Sequence, residues 1–200
     1  MSANYPKDDN AARELIVLVD DAGSPIGTMK KSDVHHADTP LHLAFSVFLF
    51  NGSGELLLQQ RAHSKKTWPG VWSNSCCGHP LPDEPITDAA ARRLKFELGI
   101  DGVDLRVMLP DFRYRAEKDG IVENEICPVL VGWAEKVPRP NPDEVADIKW
   151  IAWSEFLRLA RDRTSGISPW AAEEARLLAA HPAFAEFFGE VLAANDCGVK

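Results

Sequence analysis

The chain has 200 residues, 45% hydrophobic and 26% charged, long enough to bury a sizeable core without disulfides and too apolar for wholesale disorder. No apolar run reaches the roughly 18 residues that a bilayer span requires; the longest, Leu43 to Phe50, is interrupted by Ser46. A net charge of −8 speaks against nucleic acid as a partner, because a phosphate backbone demands a basic surface, yet it leaves room for a small anion held by local cations or a metal.

One domain is expected over residues 1–200, with its core at about 14–175 and a polar tail at 1–12. The opening MSANYPKDDN has neither the basic flank nor the apolar stretch of a signal peptide, so a cytoplasmic protein without a membrane anchor is expected. Glu14 to Asp20 is a β-branched run stopped by a turn at Asp21 to Ser24, and Ile26 to Lys30 completes a hairpin. Leu43 to Phe50 predicts a buried strand, turned by Asn51 to Gly54 into Glu55 to Gln60. Residues 61–86 show no periodicity, and an irregular segment of that length is usually functional. Thr87 is placed to cap a helix through Leu98, with Gly99 suited to the position after it. Val122 to Trp133 alternates as a strand, and a Pro-rich loop from Val137 to Pro142 leads to a further strand, Ile148 to Trp153. Ser154 caps the next helix, Ser168-Pro169 starts another to about Ala180, and His181-Pro182 breaks it before a terminal helix. The class is α/β in the mixed, α+β sense.

The alternation puts Glu123 and Glu125 on one face, about 7 Å apart. Buried among Ile121, Val122, Ile126, Val129 and Leu130 they would require a cation, because two adjacent carboxylates cannot both ionise cheaply; on a solvated face they would be inert. His35, His42 and His79 lie in segments able to converge on them, a donor set suited to Mn²⁺, Zn²⁺ or Mg²⁺, although spacing alone does not choose between His35 and His36. Cys76, Cys77, Cys127 and Cys197 form a poor disulfide framework and are read as reduced, and the final Cys197 to Lys200 as a frayed tail. Cys77, two residues before His79, suits a nucleophile, an acid/base or a ligand, against the commoner fate of a small buried residue. Lys30, Lys31, Arg61, Lys65 and Lys66 flank the polar loop as a candidate anion site, the alternative being a solvated surface.

Gly78-x5-Glu84-x7-Arg92, continuing to Glu97-x-Gly99-Ile100, resembles the Nudix box, a loop–helix–loop whose glutamates hold Mg²⁺ against a diphosphate. Two glutamates of the hydrolase pattern are replaced by Arg93 and Phe96, which argues against water activation on several metals. HHADTPLHLAF, SKKTWPGVWSNSCCGHP, PDFRYRA, GIVENEICPV and SPW resemble, in order, segments of the type 1 isopentenyl-diphosphate isomerases. That resemblance implies a Nudix fold, with extra N-terminal strands and C-terminal helices, and an enzyme of isoprenoid biosynthesis that moves an alkene through a tertiary carbocation. It further implies Cys77 and Glu125 as the acid/base pair, Tyr114 beside Glu125, and Trp170 as an aromatic wall. His35, His42, His79, Glu123 and Glu125 would hold Mn²⁺ or Mg²⁺, with Zn²⁺ an alternative. Glu97 would help hold a Mg²⁺ on the diphosphate, or else form a surface pair with Arg93. Lys31, Arg61, Lys65 and Arg93 would contact the substrate, a small diphosphate, and the chain would act as a monomer or homodimer. The readings set against it are a Nudix diphosphohydrolase and an inactive diphosphate-binding module.

Overall fold

The computed structural model of the chain describes residues 15–196, so the tail expected at 1–12 and Cys197 lie outside it. Two strands, β1 (Leu15–Val19) and β2 (Pro25–Lys30), form the expected first hairpin, which a short helix α1 (Lys31–Val34) follows. Next come β3 (His42–Leu43), β4 (Phe45–Phe50) and β5 (Glu55–Arg61). The loop expected at 61–86 contains two short strands, β6 (Trp72–Ser73) and β7 (Cys76–Gly78). They are too short to show a period, and pairing with β5 and β4 supplies their order. Helix α2 (Ile86–Leu98) precedes β8 (Arg106–Leu109), β9 (Arg113–Lys118), β10 (Ile121–Ile126), β11 (Val129–Trp133) and β12 (Val145–Ala152). Helices α3 (Trp153–Ala160), α4 (Pro169–Ala180) and α5 (Pro182–Asp196) close the chain.

Two sheets result, ordered β2-β1-β3-β10-β9 and β12-β5-β4-β11-β8. The two runs read as single strands, 43–50 and 122–133, are each divided between them. β3 and β10 pair in parallel in the first sheet, with Glu125 opposite His42. β4 and β11 pair in parallel in the second, with Val129 opposite Ser46. Pro128, which has no N–H to give a ladder, marks the break. Across it Ala44 N donates to Ile126 O at 2.9 Å and Ser46 N to Pro128 O at 3.0 Å, so the two segments change sheets side by side. The first sheet therefore delivers its carboxylates and histidines to a seam where the second begins.

Every residue of β4 is buried because both faces of its sheet are covered. Phe48 and Phe50 enter a core with Trp153, Phe156, Trp170, Phe184 and Phe187 of α3–α5, while Phe45, Val47 and Leu49 enter another with Ala89, Ala90, Leu94 and Leu98 of α2. Gly99 does take the left-handed conformation after α2, at φ 65°. The expected serine and threonine caps are not made: Pro85 and Ala152 hold the N-cap positions of α2 and α3. Ser168 sits at the N-cap of α4, yet its side chain makes no cap bond, and its Oγ lies 2.9 Å from Ser73 Oγ. Among the described residues no helix is long and apolar enough to cross a membrane.

Candidate active site at the seam between the sheets

His42 lies opposite Glu125 by strand register, and β7 ends against Phe45 so that His79 emerges beside the same break. His42 Nε2 and His79 Nε2 each stand 3.4 Å from Glu125 Oε1, and His35 Nε2 stands 3.0 Å from Glu123 Oε2. The ligand atoms of His35, His42, His79 and Glu125 all lie within 4.8 Å of one another; Glu123 flanks this group through His35. His36, by contrast, is exposed, and its Nδ1 accepts the Asp38 N–H. His42 Nδ1 lies 2.9 Å from Pro40 O, so a proton there turns the Nε2 lone pair inward. The Nε2 atoms of all three histidines and Glu123 Oε2 are buried without an aligned hydrogen-bond partner among the described residues. Lone pairs left facing one another, away from water and without donors, fit a divalent cation.

The charge states of His79 and Glu125 agree with that fit, while His42 would have to give up a proton to the ion. Burial pushes His79 down to about 3, which keeps it neutral as a ligand must be. Burial also pulls His42 down, but the adjacent Glu125 more than reverses this and leaves it raised. Burial would raise Glu125, yet His42 and His79 hold it well below the usual carboxylate range. The neighbouring Tyr114 lies opposite Glu125 in the β9–β10 register. Burial first, then the Glu125 and Glu123 charges, push its phenol well up.

Strand alternation separates the two adjacent cysteines. Cys76 is fully buried in the core beside α2. Cys77 packs on the opposite side, against the core that contains Trp68 and Trp170 and that Tyr114 also joins. Tyr114 and Trp68 lie against Trp170 with centroids 5.7 Å and 5.5 Å away, and the Arg61 guanidinium sits 5.9 Å over the Trp170 ring. Cys77 donates to Asn74 Oδ1 at 3.2 Å, and burial, then the Glu174 charge, push its thiol up to about 12.

Lys31, Arg61 and Lys65 share one electrostatic neighbourhood. Burial lowers the Lys65 ammonium, Glu97 and Glu144 oppose this, and the Arg61 and Lys31 charges lower it further. Lys65 is held by Glu144, while Arg61 donates to Thr67 O and Oγ1. The Arg93–Glu97 pair is not the surface pair that the alternative reading described. Arg93 Nη2 lies 2.6 Å from Glu97 Oε1 with both side chains 2% exposed, and it also faces Glu144 at 3.3 Å. Glu84 grips Arg92 with two bonds of 2.7 Å, which closes the loop before α2. Gly78 is required by close packing, because a Cβ there would meet the Phe45 ring at 2.9 Å and Arg93 Cγ at 3.1 Å.

Sequence reasoning missed Ser46, Asn74, Glu144 and Glu174. Glu174 left a signal: it follows Trp170 by four residues on a helix face whose other members, Ala171, Ala175 and Leu178, are buried. Glu144 left none, since it belongs to an irregular turn. A surface cavity of about 540 Å³ beside Arg163, Pro169 and Arg176 shares no residue with the seam.

Residues 40–171 match the NUDIX domain family. The chain is 53% identical over 174 residues to isopentenyl-diphosphate Delta-isomerase of Mycolicibacterium vanbaalenii, covering 86% of this chain and 94% of that one. It is 53% identical over 162 residues to the protein of the same name from Saccharopolyspora erythraea, covering 80% and 84%. Among solved structures, a Deinococcus radiodurans protein superposes with a TM-score of 0.65 at 19% identity, covering 82% of this chain and 98% of its own. A MutT protein from Methanosarcina mazei does so at 0.55 and 18%, covering 76% and 96%. At those identities the likeness is one of fold.

Proposed function

Because the chain belongs to the isopentenyl-diphosphate Delta-isomerases of the NUDIX family, we propose that the seam is its catalytic chamber, with Glu125 and Cys77 as the two proton-transferring walls. The enzyme interconverts isopentenyl diphosphate and dimethylallyl diphosphate. An unactivated alkene moves only if one carbon gains a proton and a neighbour loses one, by way of a tertiary carbocation. One observation supports the assignment: Cys77 packs against the same buried aromatic core as Tyr114, the residue opposite Glu125 in the β9–β10 register, while His79, two residues on, reaches within 3.4 Å of Glu125 Oε1.

One wall, either Glu125 with Tyr114 supplying or relaying its proton or the Cys77 thiol, gives a proton to the alkene of isopentenyl diphosphate, and the other, deprotonated, takes one from the opposite face. In the reverse direction the two exchange roles. Trp170 turns its π face to the cationic centre, an interaction worth about 2 kcal/mol when desolvated, and the surrounding Trp68 and Tyr114 rings exclude the water that would quench it. Lys31, Arg61, Lys65 and Arg93 receive the diphosphate. A Mn²⁺, Mg²⁺ or Zn²⁺ ion held by His35, His42, His79, Glu123 and Glu125 would fix and charge-balance the carboxylates, and Mg²⁺ at Glu97 would neutralise the diphosphate. The buried Arg93–Glu97 pair opens or shares its charge when that anion arrives. We place this work in the cytoplasm, in a single domain acting as monomer or homodimer on a small diphosphate.

Incubation with isopentenyl diphosphate and Mg²⁺ tests this reading. Dimethylallyl diphosphate is expected without release of phosphate; phosphate release would show a hydrolase, and unchanged substrate an inactive binding module.

A further inference from the structure

We propose that Glu144 is a positioning residue for the diphosphate end of the substrate, a carboxylate that bridges Lys65 and Arg93 and holds both cations ready at one ligand site. The proposal rests on the reading of Lys65 and Arg93 as diphosphate contacts, and adds to it a group of opposite charge.

A carboxylate beside an anion site repels the ligand, so its presence there calls for a physical reason. The two oxygens of Glu144 divide between two elements. Oε2 pairs with the Lys65 ammonium in the loop after β5, and Oε1 faces Arg93 Nη2 on α2 at 3.3 Å. The Lys65 side chain is 21% exposed and Arg93 is buried, so water alone cannot compensate either cation. Glu97 also holds Arg93, through bonds of 3.0 Å from Nε and 2.6 Å from Nη2. Among the described residues, however, Glu144 is the one carboxylate within ion-pair distance of both Lys65 and Arg93.

The backbone of the turn that carries Glu144 is anchored to both elements that supply the cations. Asn141 N donates to Glu97 O at 2.8 Å and Arg139 N to Leu98 O at 2.6 Å, which ties the turn to the end of α2. Ala62 N donates to Glu144 O at 2.9 Å and Lys65 N to Ala62 O at 3.1 Å, which ties it to the loop after β5. The buried Asn141 closes the turn on itself: its carbonyl accepts the N–H groups of Glu144 and Val145, at 3.0 Å and 2.9 Å, and its Oδ1 accepts that of Asp143 at 3.1 Å. A side chain leaving so constrained a backbone keeps its partners to a narrow range of positions. Cations ordered beforehand lose less freedom when a ligand binds. Lys65 has three N–H donors and gives one to Glu144, which leaves two for phosphate oxygens. Positioning and mere charge balance predict opposite signs. As a positioning group Glu144 strengthens diphosphate binding although it shares the ligand's charge; as a counter-charge alone it weakens binding, and its removal would leave a more attractive site.

The test compares Glu144→Gln and Glu144→Asp with wild type in the metal-loaded enzyme, each checked for folding by its melting transition. Inorganic pyrophosphate is the probe, titrated by calorimetry. Glu144→Gln keeps the size of the side chain and one acceptor but loses the charge and the second acceptor. Its Kd for pyrophosphate is expected to rise about ten- to a hundredfold. Glu144→Asp restores the charge and both oxygens on a shorter stem, and is expected to recover part of that loss. In turnover, KM for isopentenyl diphosphate is expected to rise by a similar factor with kcat nearly unchanged, because the lost interaction serves ground state and transition state alike. Acetylation of Lys65 by N-acetoxysuccinimide without ligand, read by mass spectrometry against the exposed neighbour Lys66, is expected to accelerate in Glu144→Gln and much less in Glu144→Asp. Unchanged or tighter pyrophosphate binding in Glu144→Gln, or Lys65 acetylation at the wild-type rate, would overturn the proposal. Failure of the diphosphate reading itself looks different: the wild-type protein would bind no pyrophosphate, and Glu144 would have no ligand to prepare for.

Discussion

At Cys76 and Cys77 one step along a strand separates a packing residue from a group facing the aromatic wall. Cys77→Ala is expected to lower isomerisation by about 10²- to 10⁴-fold, the usual worth of a positioned acid or base. Cys76→Ala is expected to retain activity and to lose about 1 kcal/mol of stability, as a small change in a packed core. Turnover assays of both variants beside their urea midpoints check the assignment, and equal activity losses would count against it. Glu123→Gln removes an anionic oxygen 3.0 Å from His35 Nε2, so it is expected to weaken metal retention, measured as bound metal after dialysis. Spacing in the chain was enough to put Glu123 and Glu125 on one face, but not to show that the face is buried. That depends on β3 arriving beside β10, a contact between residues about eighty positions apart that no local pattern contains. The choice of His35 over His36 was of the same kind: the seam receives one ring and solvent the other.

The elements were more legible than their ends. Hairpins, α2 and the late helices follow from periodicity and turn residues, because those signals are local. The division of 43–50 and 122–133 between two sheets was hidden, since apolar residues continue through both breaks and only Pro128 interrupts a ladder. Caps failed for a tertiary reason: the Ser168 hydroxyl meets Ser73 Oγ instead of closing α4. On α2 spacing alone understates the energy. Arg93 and Glu97 are spaced like an exposed pair worth roughly 0.3–0.5 kcal/mol, yet the helix turns them inward with both side chains 2% exposed. Losing one member leaves a buried charge uncompensated, so Arg93→Met is expected to cost about 3–5 kcal/mol in urea unfolding. Arg93→Met with Glu97→Leu should recover part of that loss, though Glu144 keeps one carboxylate near the gap. A single-variant cost within the exposed-pair range would mean that α2 lets water reach the pair.

For the whole molecule, buried acids shifted in opposite directions make stability depend on pH in a way that net charge does not predict. Burial acts to raise the Glu144 carboxyl, but Lys65 and Arg93 bring it down to about 2. Its contribution is therefore present above the ordinary carboxylate value of about 4.5 and is lost as pH falls from there toward 2. Glu174 runs the other way. Burial raises it from 4.5 to about 8, so the folded state keeps a proton that the unfolded chain has already released. Stability from this group is complete below about 4.5 and drains away as pH climbs toward 8, by an amount on the order of 4 kcal/mol. Glu174→Gln cannot release a proton and has no such slope. Urea midpoints of the two proteins between pH 5 and 8.5 should diverge steadily, with the variant gaining on the wild type, and run parallel once Glu174 is ionised. Parallel curves across the whole range would mean that Glu174 titrates alike in the folded and unfolded chain, and that water or a cation reaches the back of the chamber.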